Sequence, residues 1–316
     1  MTEFIHYLTI GLAVTIPAIS AGISQGRIGK AVIDAMNIQP AAKDSLNILG
    51  LYGAALIETG AILGTLVAAL LAFEKATPLN PFYSDLSKLG IIAALCISSL
   101  VIGFMSSAPV KQAALSVARQ PFSAPFILRF VIITISILQT PLILSLLISI
   151  FIKSQALVAT NVVDSLRLIA SGIALGCGSI GPAIGLTRFS KKACEGLGYN
   201  RQAHTKIITF TFISQAIIET PLIFSVVVSF ILLFVVSPCE SLVNGIALLA
   251  AGCCIGMATI PAALASARTA TAACWQIALH PERYATLSKV SIFAQGIIDT
   301  NAIYALLISL MLMLFI

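Results

Sequence analysis

The chain has 316 residues, 59% of them apolar and only 9% charged, and its mean hydropathy is +1.04. A soluble domain carries about 25% charged residues, so this composition cannot cover a water-facing surface. The net charge of +6 is scattered over short connections, which favours membrane topology over nucleic-acid binding.

Apolar runs long enough to cross a bilayer, which takes about 20 residues, fall at roughly 4–24, 45–73, 88–108, 126–152, 166–186, 206–236, 242–266 and 287–316. In lipid each run must satisfy its own backbone, so all eight are predicted as helices. The first begins MTEFIHYLTIGLAV, without a basic leader or an obvious cleavage site, and is read as a first helix and not as a removed signal. The predicted fold is an all-α membrane protein of eight transmembrane helices in four tandem hairpins, with boundaries at 1–80, 81–160, 161–238 and 239–316. Fourteen of the 18 Lys and Arg residues lie in the connections inside hairpins: Arg27, Lys30, Lys43, Lys111, Arg119, Arg129, Arg188, Lys191, Lys192, Arg201, Lys206, Arg268, Arg283 and Lys289. Only Lys75, Lys88, Lys153 and Arg167 lie between hairpins. The positive-inside rule then places the hairpin loops in the cytoplasm and both termini outside, in the inner membrane. Seven cysteines, at 96, 177, 194, 239, 253, 254 and 274, form no C-x-x-C pair and read as small apolar packers, with no metal site or disulfide framework.

The two helices of a hairpin differ in composition. The first is rich in small residues, as in SGIALGCGSIGPAIG at 171–185 and ALLAAGCCIGMATIPAALASA at 247–267. The second is bulky, as in IFSVVVSFILLF at 223–234. Small residues let helix backbones approach closely where no hydrophobic force drives association. The small-residue helices are therefore expected inside and the bulky helices outside, facing lipid.

One supersecondary unit repeats. AALIETGAIL at 54–63, SILQTPLILS at 136–145, AIIETPLIFS at 216–225 and GIIDTNAIYA at 296–305 align without gaps on Glu58, Gln139, Glu219 and Asp299, spaced by 81, 80 and 80 residues. Each is followed by threonine: Thr59, Thr140, Thr220 and Thr300. Nineteen positions upstream of three of them stand Gln39-Pro40, Gln120-Pro121 and His280-Pro281, whereas the third loop, GLGYNRQ at 196–202, lacks the proline.

The three carboxylates lie near the middle of bulky apolar spans. Ionisable groups there are costly, by about 2.5–3.5 kcal/mol on insertion scales, and mark functional sites by default. A carboxylate taken out of water holds its proton more firmly. It can carry a proton, or a cation if further oxygens complete a shell. No Lys or Arg lies deep in a span to pair with it. Hairpin 1 offers the fullest polar set: Gln25, 33 positions before Glu58 on the facing helix, with Thr59 and the Leu56 carbonyl. These four groups form the candidate Na⁺ site. The positions equivalent to Gln25 are Ser106, Leu186 and Ser266. Gln215 and Gln295 sit one turn before Glu219 and Asp299; a ligand role and an ordinary interhelical hydrogen bond both remain open for them. Gln139 has the shape of glutamate but cannot titrate, so hairpin 2, with Gln139 and Thr140, reads as a degenerate site and a spacer. Pro141 and Pro221 are expected to kink their helices, with or without a functional consequence.

A small-residue helix, a loop such as Ala118-Arg119-Gln120-Pro121 and a second helix with one mid-membrane carboxylate together resemble the c subunit of rotary F-type ATP synthases. DTNAIYALLISLMLMLF at 299–315 is similar to that family's carboxylate helix, and AGISQGRIGKAV at 21–32 to its first helix in the sodium-binding form. The resemblance covers nearly the whole chain, four times over. It implies a rotor ring built from copies of the chain, in contact with a stator a subunit, central stalk subunits and membrane lipid, with no nucleic acid. Glu58, Glu219 and Asp299 would be ion carriers, and Gln25, Leu56 and Thr59 the sodium ligands. It implies no cofactor, the transported ion being H⁺ or Na⁺. Loss of the inner-helix Gln in two of the three carboxylate hairpins ranks H⁺ first.

The family's usual member is one hairpin; this chain has four. Vacuolar-type proteolipids also fuse hairpins, so membership there stays open, and the altered third loop puts its contact with a stalk in question. Two other readings compete: a secondary transporter with internal repeats, and a membrane scaffold. No nucleophile–base pair, P-loop or metal cluster is legible, so any ATP chemistry is assigned to partner subunits.

Overall fold

The computed structural model describes residues 2–74, 77–234 and 241–314; Lys75 and Cys239 lie outside them. The described residues contain helices and turns only. Hairpin 1 consists of α1 (Thr2–Ile38) and α2 (Lys43–Ala72). In hairpin 2 the inner arm is α3 (Pro81–Ser87), α4 (Leu89–Ile91), a π-helical turn (Ile92–Cys96) and α5 (Ile97–Arg119). Its outer arm is α6 (Ala124–Leu138) and α7 (Thr140–Ala156). Hairpin 3 has α8 (Val162–Gly178) and α9 (Ile180–Tyr199) inside and α10 (His204–Phe234) outside. Hairpin 4 pairs α11 (Leu242–Leu279) with α12 (Tyr284–Leu314).

The helices run well past the apolar spans on the loop side. Arg27, Lys30, Lys111, Arg188, Lys191, Lys192 and Arg268 sit on helices, not in the connections where hydropathy placed them. Helix hydrogen bonding does not stop where apolarity stops; it stops where the backbone is forced out of the helical region. The residue before a proline is pushed to extended geometry, and Gln39, Gln120 and His280 have φ of −139°, −134° and −128°. Each hairpin then turns through a three-residue 3₁₀ helix: Pro40–Ala42, Pro121–Ser123, Arg201–Ala203 and Pro281–Arg283. The third turn has the same form without proline. Asn200 takes over, with φ −136° and its side chain accepting from the Gln202 N–H at 2.9 Å.

The inner arms pack in sequence, α1 on α5, α5 on α9 and α9 on α11, with the outer arms behind them. Serines pin this layer in register: Ser20 donates to the Ser99 carbonyl at 3.0 Å, Ser24 to Gly103 at 2.6 Å, and Ser116 to Cys194 at 2.7 Å. The tightest approach joins hairpins 2 and 3, where a methyl on Gly172 would run into the Gly90 carbonyl. The small-residue composition of the inner arms is therefore a requirement of distance.

Pro141 and Pro221 have different effects. The outer arm of hairpin 2 breaks at Gln139, whereas α10 continues unbroken through Pro221. Two of the charges placed between hairpins are buried. Lys88 binds Glu74, Asp85 and His6 at 3.0 Å each, joining hairpins 1 and 2 at the end away from the 3₁₀ turns. Arg167 donates to the Leu233 carbonyl at 2.8 Å.

Hairpin 1 leaves one edge of the inner layer open. Gly11, Thr15, Ala18, Gly22, Gly26 and Gly29 form an exposed face of α1 at helical spacing. An added methyl on any of its four glycines would meet nothing within 4 Å. The repeat equivalents of Gly11 are Gly172 and Gly252, and both are pressed against a carbonyl of the preceding inner arm, Gly90 and Ala170.

Candidate ion-carrying site

The outer helices hold the repeated polar position at one level, because each hairpin places it nineteen residues after the loop residue that starts the 3₁₀ turn. What each side chain meets differs between hairpins. In hairpin 4, Asp299 is buried and accepts from Ser266 of the inner helix at 3.2 Å. Ser266 stands 33 residues before Asp299, the spacing that separates Gln25 from Glu58. It was legible only as the weaker substitute for Gln25, yet it is the group that touches the carboxylate. In hairpin 3, Glu219 is half-buried, and its carboxylate lies in hydrogen-bonding reach of Thr140, on hairpin 2. One of its oxygens is enclosed with no hydrogen-bond partner. Leu186, at the Gln25-equivalent position, is fully buried and offers no ligand.

In hairpin 2, Gln139 is buried and its amide donates to the Leu56 carbonyl of hairpin 1. The same carbonyl accepts from Thr59 at 2.7 Å. Gln25 donates to the Ala54 carbonyl at 3.3 Å. Glu58 is exposed, and among the described residues no hydrogen bond or ion pair engages its carboxylate. Of the four groups expected to hold sodium, Thr59 and Leu56 meet at the Leu56 carbonyl, and among the described residues no hydrogen bond links Gln25 or Glu58 to them. Leu56 and Thr59 face hairpin 2, while Gln25 and Glu58 belong to the opposite edge of hairpin 1.

Gln215 donates to Ser190 at 3.0 Å, and Gln295 to Ser291 at 3.1 Å and Ser214 at 3.4 Å. Both amides make interhelical bonds, and both amide oxygens are buried without a donor. Thr220 and Thr300 bond their own helices, at Ala216 (3.2 Å) and Ile297 (2.7 Å). The serines at 190, 214 and 291 were missed in the sequence, where nothing but helical spacing from the glutamines marks them.

A junction pattern emerges. Gln139 reaches back to hairpin 1, Glu219 to hairpin 2, and Gln295 to hairpin 3. Each of these outer helices has a polar contact to the hairpin before it, while Asp299 itself bonds Ser266 of its own hairpin, and Glu58 has no hairpin before it in the chain.

These features define an integral, multi-pass membrane protein of fused helical hairpins, three of which carry a carboxylate on the outer helix. Comparison with known proteins supplies the family. The family of the ATP synthase C subunit matches residues 8–71, 169–232 and 249–312. The matches fall on hairpins 1, 3 and 4, those that carry a carboxylate. The ATP synthase c subunit of Dehalococcoides mccartyi is 38% identical over 72 residues, 23% of this chain and 95% of the relative. The protein of the same name from Chloroflexus aurantiacus is 32% identical over 71 residues, 22% of this chain and 93% of the relative. The chloroplastic ATP synthase c subunit of Emiliania huxleyi is 38% identical over 73 residues, 23% of this chain and 89% of the relative. The chain belongs to the ATP synthase C-subunit family.

Proposed function

We propose that copies of this chain close into the rotor ring of a rotary ATP synthase or ATPase, and that Glu58, Glu219 and Asp299 carry protons around it. The observation that carries this reading is the junction pattern. The outer helices of hairpins 2, 3 and 4 each have a polar contact to the hairpin before them, through Gln139, Glu219 and Gln295, and Glu58, with no hairpin before it in the chain, lies at the open edge. A second copy, set by the same repeat, brings its Thr300 and Ile297 carbonyl to Glu58. Stator and stalk subunits are the partners this role requires, with the 3₁₀ turns on the cytoplasmic side by the positive-inside rule.

A hard cation needs several oxygens. Glu219 and Asp299 each have one hydroxyl within reach, Thr140 and Ser266, which suits a proton. Sodium is favoured only at Glu58, where Gln25 stands on the same edge and the next copy adds a carbonyl and a hydroxyl.

The test is carbodiimide labelling of the membrane-embedded protein, which attacks protonated carboxyls, with and without Na⁺, mapped by mass spectrometry. Labelling at all three carboxylates, unaffected by Na⁺, supports the proton rotor. Protection by Na⁺ at Glu58 alone assigns sodium to the inter-copy site. Absence of label at all three removes the carrier role.

A further inference from the structure

Gln215 and Gln295 each lie four residues before a carboxylate, one turn nearer the loop on the same helix, and both are fully buried. Their amide nitrogens are anchored, Gln215 to Ser190 and Gln295 to Ser291 and Ser214. Their amide oxygens have no donor, and neither has the enclosed Oε1 of Glu219. A buried acceptor left without a donor is costly, and in lipid no water can serve it. An ionised carboxylate only accepts, whereas a protonated carboxyl adds one O–H. Side chains four apart on a helix reach each other. One proton on Glu219 therefore gives both orphaned oxygens of hairpin 3 a partner. In hairpin 4, a proton on the Asp299 oxygen that Ser266 leaves free does the same for Gln295. Among the described residues no ion pair engages either carboxylate, and the groups that bond them are hydroxyls, Thr140 for Glu219 and Ser266 for Asp299. The position four residues before the site holds Ala54 in hairpin 1 and Ile135 in hairpin 2. The hairpin that cannot titrate thus lacks this amide. Hairpin 1 brings an amide to the same level from the facing helix, where Gln25 donates to the Ala54 carbonyl at 3.3 Å.

We propose that Gln215 and Gln295 are the proton locks of hairpins 3 and 4: the protonated carboxyl of Glu219 or Asp299 donates its O–H to the amide oxygen one turn nearer the loop. This rests on the carrier role proposed above and names the residue that closes each carrier. On uptake the carboxylate gains a proton and the O–H is donated to the amide oxygen; on release that bond is lost and the amide oxygen is again without a donor. The serine anchors hold the amides in place through both states. The neutral carrier then faces lipid with its acceptors paired, and the ionised one does not.

The pH profile of carbodiimide labelling, resolved site by site by mass spectrometry on the full-length protein in membranes, tests this in the unaltered chain, in Gln215→Met and in Gln295→Met. Methionine keeps the length of glutamine and lacks the amide oxygen. Losing a hydrogen bond made only by the neutral carboxyl should weaken proton binding roughly ten-fold. Half-maximal labelling should then move toward acid by about one pH unit, at Glu219 in the first variant and at Asp299 in the second, with the other two carboxylates unmoved. A merely structural role would move all three or none. Midpoints that stay put, or that move alike at all three sites, overturn the lock and leave the carrier role standing. Absence of label at all three in the unaltered chain overturns the carrier role, and the lock with it. Infrared absorption supplies a check that leaves the glutamines in place. The protonated-carboxyl bands removed by Glu219→Gln, which copies the residue of hairpin 2, and by Asp299→Asn should lie at the low frequency of a carboxyl that donates its O–H. Bands at the frequency of a free carboxyl overturn the proposal whether or not the Met variants fold.

Discussion

Gln139 shows how a titrating position becomes a fixed contact. Its amide donates to the Leu56 carbonyl, a bond that a protonated carboxyl could also make and an ionised one could not. Gln139→Glu is therefore expected to fold and to become a fourth carbodiimide target. Mapping adducts on the variant checks this; label at Glu219 with none at 139 would show that hairpin 2 is silent for a reason other than its amide. That Gln139 cannot titrate was plain from the sequence. Its partner was not, because a carbonyl 83 residues away carries no side-chain signature. The same holds for Glu58. Its mid-span position was legible, but its lack of a neighbour follows from its place at the edge of the packed layer, which only the tertiary arrangement shows.

At the scale of the element, hydropathy located the eight helices and misplaced their ends. The ends are set by the turn residues, and three of these, the X-Pro pairs, were visible. The fourth was obscured because Asn200 does with a side-chain hydrogen bond what proline does with a ring. Asn200→Ala removes that bond and should cost about 1 kcal/mol, read as a lowered unfolding midpoint in detergent. Adding Arg201→Pro to the same chain should recover most of the loss; no recovery would mean that the Asn200 contact to the Ala278 carbonyl, at 3.0 Å, is what matters. Inner-arm glycines make a second prediction. Gly172→Ala forces a methyl against the Gly90 carbonyl and is expected to destabilise the chain by about 1–3 kcal/mol, whereas Gly22→Ala, on the open face of α1, should leave the isolated chain unchanged. Equal unfolding midpoints for the two variants would contradict the packing described.

Across the whole molecule, the repeat fixes what the open edges should meet. Gly172 lies over Gly90 and Gly252 over Ala170, so the same 82-residue offset sets Gly11 of one copy over Ala250 of the next. Ala250 is exposed on α11. Mild oxidation of a Gly11→Cys, Ala250→Cys variant should give a ladder of covalent multimers on a denaturing gel, with each single variant giving none. A ladder absent from membranes that retain the chain would exclude this edge-to-edge closure. If the ring turns on three carriers per chain, the measured ion-to-ATP ratio should correspond to three-quarters of the hairpin count; a ratio matching every hairpin would exclude a silent second hairpin. The hydrogen bond from the Gln139 amide to the Leu56 carbonyl then has a mechanical meaning. A ring assembled from such chains is a gear with every fourth tooth missing. Its stator must cross one double-width gap per chain, so successive pauses of the turning shaft should be unequal, three alike and then one stride without a stop.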